Sequence, residues 1–124
     1  MSNSEKTIFH IEDNFDNRLL VNRLLTASGY RVVEAENADR ARSLLQASAP
    51  DLILMDINMP DVDGYTLTHE LKSYPALANV PIVAITANVM KGDRERTLNA
   101  GCDGYIEKPI DVDHFIEQVE SFLR

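Results

Sequence analysis

The sequence predicts an α/β domain in which a parallel sheet is covered by helices on both faces. Three observations support this: five short apolar runs, segments of helical period between them, and two runs that are continuous rather than alternating. The continuous runs, residues 52–55 and 82–85, are typical of strands buried on both faces. Strand followed by helix, five times over, predicts parallel strands joined by right-handed crossovers.

The predicted strands are residues 7–11, 31–35, 51–55, 81–86 and 103–107. Gly29 is expected to end the first helix, and Asn37 to cap the start of the second. Pro50, Pro75 and Pro81 lie between elements, where a missing backbone N–H does least harm.

The helices differ in how clearly their sequences mark a buried face. On the first, Leu20, Leu24 and Ala27 are expected to share the buried side. The last carries an apolar stripe of Phe115, Ile116, Val119, Phe122 and Leu123. Residues 88–100 are mostly polar and include Gly92, which costs about 1 kcal/mol relative to Ala inside a helix. We therefore expect the fourth helix to be marginal and loosely held.

Length and composition indicate one globular domain and exclude several functions. The chain has 124 residues, of which 44% are hydrophobic and 26% charged. Its net charge of −8 argues against nucleic-acid binding, which needs a cationic surface. The single cysteine, Cys102, cannot form an internal disulfide, and no run of ~18 apolar residues predicts a membrane span. With no signal peptide, residues 1–124 are expected to form one cytoplasmic domain without a second or output domain.

Polar side chains stand where the predicted strands end. Glu12 and Asp13 follow the first strand, Asp56 follows the third, Thr86 ends the fourth and Lys108 follows the fifth. The carboxyl ends of parallel strands lie along one edge of an α/β sheet, where ligands bind. Crowded carboxylates need a proton or a cation, and Mg²⁺ suits oxygen ligands. A carboxylate, a divalent ion, a lysine and a hydroxyl suit phosphoryl transfer to an aspartate.

Each of these residues also has an ordinary structural explanation. Glu12 and Asp13 are common at helix starts, Thr86 suits a strand, and Lys108 before a proline suits a loop. Their joint occurrence at four strand ends favours a functional site.

Several other residues have competing interpretations. The histidines His69 and His114 are expected on the surface without a zinc site, and Cys102 as a small buried hydrophobe. The fourth helix carries three basic residues, Lys91, Arg94 and Arg96. They form either a solvated face or a docking surface.

Five motifs together resemble the receiver domain of bacterial two-component response regulators: residues 11–14, 52–60, 63–64, 85–87 and 105–109. The resemblance extends over essentially the whole chain, and residues 90–93 and 101–102 are most similar to stand-alone receivers of the cell-cycle and polarity type. It implies a flavodoxin-like doubly wound (βα)5 fold with a five-stranded parallel sheet of order 2-1-3-4-5. Receivers normally place an aliphatic residue where this chain has His10, which we expect to be a neutral, hydrogen-bonded core histidine.

The resemblance also implies a phosphoacceptor and a metal site. Asp56 would accept a phosphoryl group from a histidine kinase or a phosphotransfer protein. Glu12, Asp13 and Asp56, with the backbone carbonyl of Asn58, would hold Mg²⁺, for which Mn²⁺ is a possible substitute.

The remaining roles concern the phosphoryl group and its readout. Lys108, Thr86 and Ala87 would bind the phosphoryl group, and Thr86 and Tyr105 would act as the switch. The peptide bond between Lys108 and Pro109 would be cis.

The leading hypothesis is thus a signalling switch, monomeric or weakly dimeric, that acts through a downstream protein and catalyses only its own phosphorylation and dephosphorylation. A pseudo-receiver that works unphosphorylated would usually have lost Asp13, Asp56 or Lys108. An aspartyl-phosphate phosphatase typically needs a second Asp where this chain has Asn58, which cannot shuttle a proton. A dinucleotide binder would need glycines after the first strand.

Overall fold

The computed structural model describes residues 6–60, 63–87 and 91–123, in which strands and helices alternate. The strands are β1 (Thr7–Ile11), β2 (Arg31–Ala35), β3 (Leu52–Asp56), β4 (Ile82–Thr86) and β5 (Gly104–Glu107). The helices are α1 (Phe15–Ala27), α2 (Ala38–Ala47), α3 (Gly64–Lys72), α4 (Lys91–Asn99) and α5 (Phe115–Phe122). A 3-10 turn, Pro75–Leu77, precedes β4. None of the described helices is long and apolar enough to cross a membrane.

The five strands form one parallel sheet in the order β2-β1-β3-β4-β5, which confirms the predicted fold. In the register of the central pair, Ile11 of β1 lies opposite Met55 of β3. The residues that follow these two positions therefore emerge side by side at the carboxyl edge of the sheet.

Two apolar layers sandwich the sheet, because successive strand residues point to opposite faces. Ile8 of β1 packs in the layer with Val21 and Leu25 of α1 and with Phe115 and Val119 of α5. The opposite layer joins the sheet to α2 and α3 through Phe9, Ile11, Ala41, Leu45, Leu67 and Leu71. All residues of β3 and β4 are buried, as their continuous apolar runs predict.

The predicted buried face of α1 is wrong. Leu20 and Ala27 are exposed, and the helix buries Val21 and Leu25 instead. The apolar residues of α1 spread over more than one face, so helical period did not select among them. Packing on the sheet and α5 selected the Val21 and Leu25 side and left Leu19 and Leu20 each 36% exposed.

The helix ends and the sparse packing of α4 agree with the sequence. Gly29 follows α1 with a positive φ of 92°, and the Asn37 side chain accepts a hydrogen bond of 2.8 Å from the Arg40 N–H. Among the α4 side chains that the structure describes, Thr97 alone is buried. Little apolar contact therefore holds α4 in place.

Candidate functional site

Three carboxylates meet at the carboxyl edge of the sheet. Glu12 and Asp13 follow β1, Asp56 ends β3, and one carboxylate oxygen from each lies within 4.8 Å of the others. Glu12 and Asp56 are each only 2% exposed, while Asp13 is exposed. The parallel pairing of β1 with β3 brings these groups together, and oxygens at this spacing can hold a metal ion.

Lys108 supplies the cation of the site. Its Nζ atom lies 2.9 Å from Oδ1 of Asp56, and the Asn58 N–H donates to the same oxygen at 3.0 Å. The Lys108 backbone N–H donates to the Thr86 carbonyl at 2.9 Å, and the Lys108–Pro109 peptide bond is cis, as the resemblance implies. Burial alone would raise the pKa of Asp56, but hydrogen bonds from Glu12 and Lys108 lower the pKa overall.

Glu12 has the opposite shift. Burial and the hydrogen bond to Asp56 raise the pKa of Glu12 to about 8, because two buried carboxylates this close repel each other. A divalent cation between them would remove that repulsion, so the pair fits a metal site. The donor set consists of oxygens, as Mg²⁺ prefers.

The loop between β1 and α1 is held by Arg18, a residue that the sequence analysis missed. One guanidinium nitrogen donates to the backbone carbonyls of Glu12, at 2.8 Å, and Asp13, at 3.0 Å. The Asn14 N–H also donates to the Glu12 carboxyl group, at 3.3 Å. The available signal was a basic residue one turn into the helix that follows the acidic pair.

The two proposed switch residues lie on one face of the sheet. Tyr105 of β5 pairs with Ala84 of β4, two residues before Thr86, and paired residues of parallel strands point the same way. Thr86 is buried, whereas Tyr105 is half-buried and packs against the layer that also contains Ala84. The guanidinium of Arg94 lies over the Tyr105 ring, 5.7 Å from its centroid.

The remaining site residues and histidines are also placed. Ala87 is exposed directly after Thr86. Asn88, which follows Ala87 and which we expect to affect the lifetime of the phosphorylated form, lies outside the described residues. The surface histidines agree with prediction: His69 is exposed, and exposed His114 contacts Asp111 at 2.8 Å. Burial raises the pKa of the Cys102 thiol to about 11, in keeping with a buried hydrophobe.

Arg94 and Arg96 of α4 are exposed, as a solvated face or a docking surface requires, and each also lies over an aromatic ring. Arg96 lies over the Tyr65 ring, 4.5 Å from its centroid, as Arg94 lies over Tyr105. The side chain of Lys91 lies outside what the structure describes.

The prediction that His10 is a hydrogen-bonded core histidine is wrong in one respect, because its ring makes no hydrogen bond with the described residues. The residue is fully buried on the α1/α5 side of the sheet, and neither ring nitrogen has a partner among the described residues. Burial lowers its pKa to about 4, so the ring is neutral, as predicted. The pattern of the strand could place this side chain but could not show whether a hydrogen-bond partner lies beside its ring.

A doubly wound sheet with acidic residues and a lysine at its carboxyl edge defines a phosphoacceptor-type signalling domain. The chain belongs to the response regulator receiver domain family, whose model matches residues 8–120. It is 44% identical over 118 residues to the polar-differentiation response regulator DivK of Brucella anthropi, covering 95% of this chain and 96% of the relative. DivK of Brucella ovis is 43% identical over the same length.

Solved structures agree with this assignment. The receiver domain of a sensor histidine kinase from Pseudomonas aeruginosa, which holds a magnesium ion in its active-site cleft, is 33% identical with a TM-score of 0.85. That match covers 95% of this chain and 97% of the other. The Vibrio cholerae chemotaxis protein CheY4 has a TM-score of 0.90 at 20% identity, covering 94% and 98% of the two chains; it supports the fold alone.

Proposed function

We propose that this chain is a signalling switch in which Asp56 accepts a phosphoryl group from a histidine kinase or a phosphotransfer protein. The observation that carries the proposal is the 2.9 Å contact between Lys108 and Asp56 beside the carboxylates of Glu12 and Asp13. The nucleophile, the cation and the acidic cluster converge on one point from three strands.

The chemistry assigns a distinct task to each residue. An oxygen of the Asp56 carboxylate attacks phosphorus, the bond from phosphorus to the donor histidine nitrogen breaks, and the bond electrons stay on that nitrogen, which takes a proton from solvent. Lys108 stabilises negative charge on the phosphoryl oxygens in a largely buried site. Thr86, followed by Ala87, supplies a hydroxyl donor and a nearby backbone segment to the same group.

Mg²⁺ is the proposed cofactor. Glu12, Asp13, Asp56 and the backbone carbonyl of Asn58 would hold it, and Mn²⁺ would substitute because it also accepts oxygen ligands. When bound, the ion neutralises charge on the phosphoryl group. The magnesium in the cleft of the Pseudomonas receiver supports this assignment.

The proposed output is a contact with another protein in the cytoplasm. The proposed protein is one receiver domain over residues 1–124, which the match to DivK over 95% of this chain and 96% of the relative supports. We also propose that it is monomeric or weakly dimeric. It catalyses only its own phosphorylation and dephosphorylation. The net charge of −8 supports a protein partner over nucleic acid.

Acetyl phosphate with Mg²⁺, followed by intact-mass measurement, tests the proposal. One added phosphate is expected on the wild type and none on Asp56→Asn. Asp13→Asn, which removes a charge from the metal site, and chelation of Mg²⁺ are each expected to abolish the reaction. An unmodified wild type would instead indicate a pseudo-receiver, and modification of Asp56→Asn would show that another residue is the acceptor.

A further inference from the structure

The segment between β1 and α1 is anchored at both of its ends. The Glu12 backbone N–H donates to the Ala35 carbonyl of β2 at 3.0 Å, which fixes the point where β1 ends. The Arg18 backbone N–H donates to the Asn14 carbonyl at 3.0 Å in the first turn of α1. The two metal-ligand candidates of this segment, Glu12 and Asp13, therefore lie between two fixed points of the backbone.

The Arg18 side chain folds back from α1 onto this segment. Its Nη1 atom donates to the Glu12 carbonyl at 2.8 Å and to the Asp13 carbonyl at 3.0 Å. When two consecutive carbonyl oxygens bind one nitrogen, the peptide unit between them cannot rotate freely, and hydrogen bonds from a charged donor are the stronger kind. Arg18 is half-buried, and its guanidinium lies 5.8 Å from the centroid of the Phe15 ring.

Asp13 depends on this contact more than Glu12 does. Glu12 is buried, and its carboxyl group also accepts a hydrogen bond of 3.3 Å from the Asn14 N–H. Asp13 is exposed, yet its carboxylate lies close enough to those of Glu12 and Asp56 for all three to hold one ion. An exposed side chain gains little orientation from packing, so the direction of the Asp13 carboxylate relies on the backbone that Arg18 holds.

We infer that Arg18 is a positioning residue for the metal site, which sets the affinity for Mg²⁺ through the backbone of Glu12 and Asp13 without touching the ion. This role rests on the proposed function, which makes those carboxylates the Mg²⁺ ligands. Loss of a group that orients metal ligands typically costs about 10–100-fold in metal affinity. A simple charge effect would have the opposite sign, because removal of a cation near the site would strengthen cation binding.

Titration of the unphosphorylated, isotope-labelled full chain with Mg²⁺, followed by NMR without a phosphodonor, tests the inference. Arg18→Met keeps an unbranched side chain but removes the donor, and it should raise the dissociation constant for Mg²⁺ by at least about tenfold. Arg23→Met is the matched control. Arg23 is exposed on the same helix, so its substitution removes an equal but screened charge and should change the dissociation constant by less than about twofold.

The outcome that would overturn the inference is an Arg18→Met variant that binds Mg²⁺ as tightly as Arg23→Met, or more tightly. In phosphorylation by acetyl phosphate, the Mg²⁺ concentration that gives half the maximal rate should rise in Arg18→Met by the same factor as the dissociation constant. A mere loss of folded protein would not produce this shift. The titration itself needs no phosphorylation of Asp56, so failure of this inference and failure of the proposed function are distinguishable.

The wild type offers a second measurement, which does not depend on how well a variant folds. Coupling between two sites is reciprocal, so Mg²⁺ binding should slow the exchange of the Arg18 guanidinium protons with water. The guanidinium protons of Arg23 should exchange at the same rate with and without Mg²⁺. Unchanged exchange at Arg18 in saturating Mg²⁺ would overturn the inference even if Arg18→Met does not fold.

Discussion

Nζ of Lys108 lies 2.9 Å from Oδ1 of Asp56, although 52 residues separate them in the chain. The Asp56 side chain is 3% exposed and that of Lys108 is 23% exposed, so solvent screens this ion pair only weakly. The same cation that neutralises the free carboxylate is therefore in position to meet a phosphoryl oxygen.

Replacing Lys108 with Met should slow phosphorylation of Asp56 by acetyl phosphate by at least about tenfold, since removal of one stabilising group from a reacting centre costs that much or more. The rate of mass increase measures the effect. Lys6→Met is the control, because Lys6 is an exposed lysine at the opposite edge of the sheet. An unchanged rate for the Lys108 variant would remove this residue from the reaction.

Asn58 is expected to shorten the lifetime of the phosphorylated form. Its side chain is exposed two residues beyond Asp56, where an amide can orient a water for hydrolysis; Asn88 holds the same relation to Thr86 in the sequence. Asn58→Ala and Asn88→Ala should each slow the decay of the phosphorylated protein after removal of the donor. Decay rates equal to those of Asn79→Ala, an exposed control before β4, would contradict this.

Thr86 is expected to couple phosphorylation to Tyr105. Both lie on one face of the sheet, next to the weakly packed α4, so a rotated Thr86 hydroxyl would leave space for the tyrosine ring. Thr86→Ala should keep phosphorylation of Asp56 but lose the phosphorylation-dependent shift of the Tyr105 ring in NMR spectra, and with it the change in partner affinity. A full shift in Thr86→Ala, as in the control Thr26→Ala on α1, would exclude this route.

Two glycine substitutions should have opposite effects on stability. A Cβ on Gly64 would lie 2.7 Å from Cα of Ile57 and 3.1 Å from the Asp56 carbonyl oxygen, because α3 begins directly against the loop that follows Asp56. Gly64→Ala should lower the free energy of unfolding by about 1–3 kcal/mol. A Cβ on Gly92 meets nothing within 4 Å, so Gly92→Ala should raise the free energy of unfolding by about 0.5 kcal/mol.

Urea denaturation measures both changes, and phosphorylation rates show whether the Gly64 substitution also disturbs Asp56. Equal stabilities of the two variants would contradict the close approach at Gly64.

The Arg42–Glu70 ion pair between α2 and α3 should make stability depend on pH. Two guanidinium nitrogens donate to the two Glu70 oxygens at 2.7 and 2.9 Å, and these hydrogen bonds lower the pKa of Glu70. A carboxyl group with a lowered folded-state pKa stabilises the protein above its unfolded pKa and loses that effect as pH falls through the folded value.

Glu70→Gln should therefore lower the free energy of unfolding by about 1 kcal/mol at pH 7, given partial exposure of the pair. The difference from wild type should shrink below about pH 4. Urea denaturation at pH 7 and at pH 3 measures this difference in the free energy of unfolding. Glu95→Gln, at an exposed position on α4, is the control. A difference that is the same at pH 7 and pH 3 would contradict the assignment.

The sequence by itself determined the order of the elements and the residues at the strand ends. Continuous apolar runs marked β3 and β4, and Glu12, Asp13, Asp56 and Lys108 could be placed at one edge because strand direction in an α/β fold is uniform. These are properties of local pattern and chain order, which need no knowledge of packing.

Only the tertiary structure decided which side chains meet. Some features depend on atoms from elements distant in the chain or on the exact packing of a loop. They are the buried face of α1, the support that Arg18 gives the β1–α1 loop, the missing partners of His10 and the close approach at Gly64. Helical period could not choose among the apolar faces of α1, because that choice is made by close packing against the sheet and α5.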